Sequence, residues 1–187
     1  MIGTEPQRKR RLPTALLAVA VVFAGALFAG NNVAERHELD RLLARVDAAQ
    51  DTIAYSNHRV QATVDYTRPL LFGANVPADV RAGLQQLVAE SAAGQVGSVE
   101  HERATAAAVS VLPWHRGMRR AKAALVTYLA ARASYLRGVA ANSRTLYVEH
   151  PELDVLLDRT RAAFRAAGGG AEVKRVDAAF AGGTHPA

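Results

Sequence analysis

The chain has 187 residues, enough for one folded domain of about 100 to 150 residues beyond an apolar N-terminal stretch. Half of the residues are apolar and only 6% are aromatic, with Ala abundant, which favours closely packed helices over a β-sandwich. The absence of Cys excludes disulfides, thiolate metal sites and a cysteine nucleophile, and a net charge of +6 is too mild to argue for nucleic-acid binding.

The first element is an uncharged run of about 19 residues at positions 12–30, LPTALLAVAVVFAGALFAG. A helix of this length spans the roughly 30 Å hydrocarbon layer of a membrane, so the run predicts a transmembrane helix. Residues 1–11 before it are basic, and positive-inside bias predicts that they stay in the cytoplasm. The residues that would determine this topology are Arg8, Lys9, Arg10 and Arg11. We therefore expect a single-pass protein of the bacterial inner membrane, with most of the chain extracytoplasmic.

A cleaved secretory signal is the alternative interpretation of the same segment, because a basic start, an apolar stretch and small residues fit that pattern as well. Small residues also recur at four-residue spacing, as in Ala20/Ala24 and Ala26/Gly30, which would let two such helices approach closely. An Ala-rich span produces that spacing easily by chance.

Residues 31–167 are predicted to form an antiparallel bundle of about four helices, and no segment has the period of a strand. The first helix resembles one strand of a coiled coil and ends near Pro69. Its expected core positions follow a three-four alternation: Leu39, Leu42, Leu43, Val46, Ala49, Ile53, Ser56, Val60 and Val64.

The second helix is predicted to start at Pro77 and to break between Gly94 and Ser98. Pro113 opens the third, and Pro151 opens the fourth, which ends at the glycines of 168–170. Residues 168–187 are expected to be a flexible tail. The broad apolar face predicted for the third helix consists of Trp114, Met118, Ala121, Leu125, Tyr128, Leu129, Leu136 and Val139.

No motif in the chain supports catalysis, a cofactor or a metal. His37-Glu38 begins like the zinc motif H-E-x-x-H, but Arg41 stands where the second His is required. No His has a Glu three residues before it, so the di-iron signature is absent too. We therefore predict no catalytic residue, cofactor or metal ligand.

The least ordinary feature is a segregation of charge, because every charged residue from Arg103 to Val148 is positive. A helical wheel gathers five of these cations within about 120°, opposite the apolar face. They form a candidate docking stripe for anionic lipid, an acidic partner or a polyanion, or else a merely solubilising face. The stripe consists of Arg116, Arg119, Lys122, Arg137 and Arg144.

Arg132 differs from these cations because it falls within the apolar face of the third helix. An unpaired buried guanidinium is costly. Arg132 is therefore predicted either to snorkel or to form a buried ion pair with Asp47 or Asp51 of the first helix.

The functional expectation is a non-enzymatic, membrane-anchored bundle that acts through protein contact, as an accessory subunit, scaffold or assembly factor of a cell-envelope complex. Its partner would be another protein or a second copy of this chain. The alternatives are an extracytoplasmic sensor-like or ligand-binding bundle and, third, a domain secreted after signal cleavage.

Overall fold

A computed structural model describes residues 12–71, 76–143, 145 and 150–181, with side chains from Leu27 onward except that of residue 71. The part of the chain that it covers is helical throughout its regular elements and contains no strand, which confirms the all-helical prediction. The chain divides into two units, Met1–His37 and Glu38–Ala187. The helices are α1 (Leu12–Leu71), α2 (Ala78–Ala108), α3 (Arg116–Ala141) and α4 (Pro151–Ala181).

The predicted membrane span is not supported. Within the described ranges, no helix is long and apolar enough to cross a membrane. This finding corrects the transmembrane helix predicted at 12–30, together with the predicted inner-membrane location. The predicted topology residues lie outside the described residues: Arg8, Lys9, Arg10 and Arg11.

The buried stripe of α1 matches its sequence period. Each expected core position is at most 6% exposed, from Leu39 to Val64, and Ser56 is fully buried. Residues three and four apart share one face of a helix, so this alternation places every third or fourth side chain against the other helices. The predicted stop at Pro69 is two residues short of the observed end of α1.

The second helix does not break where its glycines predicted a break. α2 continues through Gly94 and Gly97 to Ala108, with Pro77 just before its first residue. Ala92 and Val99 on either side of the glycines are 0% and 1% exposed. Burial on both sides outweighs the cost of about 1 kcal/mol that a glycine adds to a helix interior.

The third helix begins three residues later than predicted, at Arg116. Its apolar face is buried from Met118 to Val139, as the period predicted. Trp114, expected on that face, is instead 64% exposed, and His115 is 4% exposed. Trp114 precedes the helix, so the helical period does not set the direction of its side chain.

The fourth helix is a helical hairpin. Gly169 adopts φ 68° and ψ −177°, which interrupts α4, and the chain turns back there. Phe164 and Phe180 stack edge to face with ring centroids 5.5 Å apart, although a straight helix would separate them by about 24 Å. The segment expected as a flexible tail is thus helical up to Ala181, and Val176 is fully buried.

Contacts between the helices of the second unit show alternating directions. Thr63 of α1 bonds Ser91 of α2 at 3.2 Å, while Glu38 bonds Leu112 beyond the far end of α2, so these helices are antiparallel. Arg137 of α3 pairs with Glu100 of α2, while Lys122 bonds Val109 just beyond the end of α2, so α2 and α3 are antiparallel too. Thr160 of α4 donates to the carbonyl oxygen of Ala124 in α3, while Tyr135 lies against His150 just before α4, so α3 and α4 are antiparallel as well. The core thus lies between helices that run alternately up and down.

Candidate functional site

The connection between α2 and α3, residues 109–115, is held by a buried carboxylate. Glu38 Oε1 accepts a hydrogen bond from the Leu112 backbone N–H at 2.8 Å, and Glu38 Oε2 lies 2.7 Å from His115 Nδ1. The Glu38 and His115 side chains are only 4% and 3% exposed. A buried carboxylate is tolerated when hydrogen bonds satisfy its oxygens, and here both oxygens have a partner.

Three cationic side chains bind carbonyl oxygens of the same connection. Arg41 of α1 donates to Ser110 at 3.2 Å. From α3, Lys122 Nζ donates to the carbonyl of Val109 at 2.8 Å, and Arg119 Nη1 donates to the carbonyl of Pro113 at 3.1 Å. These bonds satisfy backbone acceptors that no helix uses, and they fix the positions of the cations in return.

A cleft of about 620 Å³ lies between this connection and α3. Of the described residues that line it, two are cationic, the others are apolar and none is acidic. We call it the α3 cleft and define it by Ala107, Val111, Pro113, Arg119, Lys122, Ala123 and Val126.

A second depression of about 460 Å³ adjoins the α3 cleft, with which it shares Arg119 and Ala123. Its other lining residues, Arg116 and Arg120, are exposed. Trp114, two residues before Arg116, is exposed, and its ring meets that of His115 edge to face, 6.1 Å between centroids. We call this region the basic surface and define it by Trp114, Arg116, Arg119, Arg120 and Lys122.

The predicted cationic stripe is divided in the structure. Arg116, Arg119 and Lys122 lie together in the basic surface, whereas Arg137 lies about 22 Å farther along α3 than Lys122 and forms an ion pair with Glu100 of α2. Hydrogen bonds from Arg103 and Arg137 lower the pKa of Glu100, which makes its carboxylate a stable counter-charge. Arg144, the fifth residue of the stripe, lies outside the described residues.

Arg132 contacts a different residue of α1 from the two that were predicted. Its guanidinium donates to Asn57 Oδ1 at 2.5 Å and lies 5.4 Å from the centre of the Tyr135 ring. Asp47 and Asp51 are both exposed. Arg132 is half-buried, which is typical of an arginine whose aliphatic part packs on the protein while its guanidinium makes a polar contact near the surface, here with Asn57.

The pairing of Glu38 with His115 was not predicted from the sequence, in which Glu38 stands out only as part of an incomplete zinc motif. A local signal did exist, because Glu38 lies one helical turn before Leu42 and therefore on the buried side of α1. Within the described part of the chain, no group of three potential metal ligands converges.

No protein-family model, no curated protein and no solved structure matches this chain. The contacts, burial and charge of the described residues therefore carry the functional proposal.

Proposed function

We propose that this protein is a non-enzymatic helical bundle that acts by contact with another protein, as an accessory subunit, scaffold or assembly factor. The basic surface is its contact site. The observation that carries the proposal is the 64% exposure of Trp114, two residues before the first of a group of arginines. Among the described residues, no acidic side chain lines the cavities that these arginines line.

The composition of the basic surface is that of an interface centre. Trp and Arg are the residues most enriched where a few side chains carry most of the binding energy between proteins. Trp114 supplies apolar area, and Arg116 and Arg120 supply planar guanidinium groups that bind carboxylates through two bonds.

The charge of the surface selects the partner. Every charged residue from Arg103 to Val148 is positive, so α3 presents no negative charge of its own. Complementary charge raises association rates and disfavours partners of the wrong sign. The partner is therefore a protein with an exposed acidic segment that also offers an apolar residue to Trp114.

Binding of a fluorescein-labelled polyglutamate peptide, followed by anisotropy at low and physiological salt, tests this proposal. We expect saturable, salt-sensitive binding that the double variant Arg116→Glu/Arg120→Glu weakens by about tenfold or more. Both side chains are exposed, and the bonds to the 109–115 connection come from Arg119 and Lys122 instead. An acid at position 116, in the first turn of α3, is also favourable, so the variant should stay folded.

The double variant Arg81→Glu/Arg159→Glu is the matched control, because it makes the same charge change at exposed positions of α2 and α4. Equal loss of binding in this control and in Arg116→Glu/Arg120→Glu would mean that only net charge matters, and would overturn the assignment of the surface. If a single-stranded oligonucleotide of equal charge bound more tightly than the polyglutamate peptide, the partner would be a nucleic acid instead of a protein.

A further inference from the structure

We infer that the α3 cleft binds a small anionic amphiphile, a molecule that joins one carboxylate or phosphate group to a short hydrocarbon chain. This ligand site adjoins the proposed protein contact and shares Arg119 and Lys122 with it. It would make the protein responsive to such a molecule in addition to its partner.

The size of the α3 cleft fits a small molecule. Its volume of about 620 Å³ lies within the range of roughly 300 to 1,000 Å³ that is typical of ligand sites. Side chains from α2, from the 109–115 connection and from α3 all line it, so the cleft has walls on more than one side.

The wall chemistry of the cleft is apolar with two cations. Val111, Pro113 and Val126 offer hydrocarbon surface, and the two alanines leave room between them. A hydrocarbon chain laid along such a wall gains roughly 25 cal/mol for each Å² removed from water. An anion without a hydrocarbon chain would leave this apolar surface exposed to water.

The two cations of the cleft are positioned in advance and keep donors for a ligand. Lys122 uses one of its three N–H donors on Val109, and Arg119 uses one of its five on Pro113. Because these bonds already restrict both side chains, an anion that binds them loses less side-chain entropy than it would at free cations. Among the described residues, no carboxylate lines the cleft to compete for them.

The inference can be tested by titrating the protein with decanoate and with decyl phosphate as anionic probes. Decanol is the uncharged probe of equal chain length. Trp114 is the single Trp of the chain and adjoins Pro113, so its fluorescence reports on the cleft, and calorimetry provides an independent readout. We expect saturable binding of at least one of the two anions, at least tenfold tighter than that of decanol. The preferred anion identifies the headgroup.

The variant Ala107→Leu fills the apolar side of the cleft without changing charge. Ala107 is exposed in α2, and Leu is nearly as good a helix former as Ala, so folding should be unaffected. We expect this variant to weaken binding of the anion about tenfold. The matched control, Ala93→Leu, adds the same group at another exposed position of α2 and should bind normally.

Three outcomes would overturn the inference: no saturable binding of either anion, decanol binding as tightly as the anions, or equal effects of Ala107→Leu and Ala93→Leu. Lys122→Met adds a further test, because it should weaken binding of the anions but not of decanol. Failure here is distinguishable from failure of the proposed protein contact. Ala107→Leu leaves all cations of the basic surface in place and should not alter binding of the polyglutamate peptide.

Discussion

Glu38 and His115 stand 77 positions apart in the chain and meet through a buried hydrogen bond of 2.7 Å. The same carboxylate accepts the Leu112 N–H, so one side chain of α1 fixes both the 109–115 connection and the residue before α3. The cations of the α3 cleft bind that connection from its other side. The position of the candidate site therefore depends on a residue that does not line it.

Replacing Glu38 by Ala should destabilise the protein by roughly 2 to 4 kcal/mol, because the part-buried N–H of Leu112 loses its acceptor and the buried His115 loses a partner. Glu38→Gln should cost less, since the amide keeps one oxygen as acceptor. Urea unfolding followed by circular dichroism measures both. Asp47→Ala, at an exposed position of the same helix, should change the free energy of unfolding by less than about 0.5 kcal/mol. An equal cost for Glu38→Ala and Asp47→Ala would contradict the importance of the buried bond.

Gly169→Ala should destabilise the protein by about 1 to 3 kcal/mol. At φ 68° and ψ −177° the backbone of Gly169 is in a region that residues with a Cβ atom avoid. Thermal unfolding of the variant measures the cost. The neighbouring Gly170→Ala is the control, because Gly170 lacks a positive φ and a Cβ there would meet no atom within 4 Å. That change should be neutral or stabilising by up to about 1 kcal/mol, and a loss as large as that of Gly169→Ala would contradict this explanation.

Stability should fall in acid partly because of Glu100. Its pKa in the folded protein lies below the ordinary value of 4.5, since Arg103 and then Arg137 bond the carboxylate. A lowered pKa contributes stability that is present above the pKa of the unfolded chain and is lost as the pH falls through the pKa of the folded state. Between pH 6 and pH 3, the urea midpoint of Glu100→Gln should therefore fall less than that of the unaltered protein.

Glu90→Gln is the control for this pH dependence, because Glu90 lies on the same helix and its carboxylate bonds Gln86 rather than a cation. Its acid-induced loss of stability should match that of the unaltered protein. If Glu100→Gln shows the same loss too, the ion pairs of Glu100 do not contribute to stability.

Arg132→Met should change the melting temperature only slightly, by the equivalent of less than about 1 kcal/mol. Arg132 is half-buried, its guanidinium bonds Asn57, and its Nε atom is buried without a partner, so Met keeps the packing and removes an unsatisfied donor. Asn57→Ala should have a similarly small effect. A loss of 3 kcal/mol or more would instead support a buried ion pair of Arg132 with Asp47 or Asp51.

The helices and their buried faces could be predicted from the sequence because they depend on neighbours three and four residues apart. The α1 stripe from Leu39 to Val64 and the α3 face from Met118 to Val139 follow this rule. The prediction of a break near Gly94 was wrong because the burial of Ala92 and Val99, which depends on tertiary contacts, outweighs the low helix propensity of the glycines between them. The membrane span rested on hydropathy alone and is corrected by the structure.

The candidate site could be predicted only in part. Its cations could be predicted because they lie three residues apart on one face of a single helix. They are Arg116, Arg119 and Lys122. The pairing of Arg137, by contrast, depends on Glu100, which lies 37 positions earlier in the chain. The outward direction of Trp114 likewise depends on where α3 begins, and no local pattern marks that residue.

The hairpin of α4 also bears on the order in which the chain folds. Arg165 and Asp177 at its two limbs are 12 positions apart, whereas Glu38 and Leu112 are separated by 74. Closing a longer loop costs more chain entropy, so local contacts form sooner than distant ones. We therefore expect the α4 hairpin to assemble early and the 109–115 connection to reach its final conformation last. The same connection should be the first to show amide hydrogen exchange when α1 separates from the other helices.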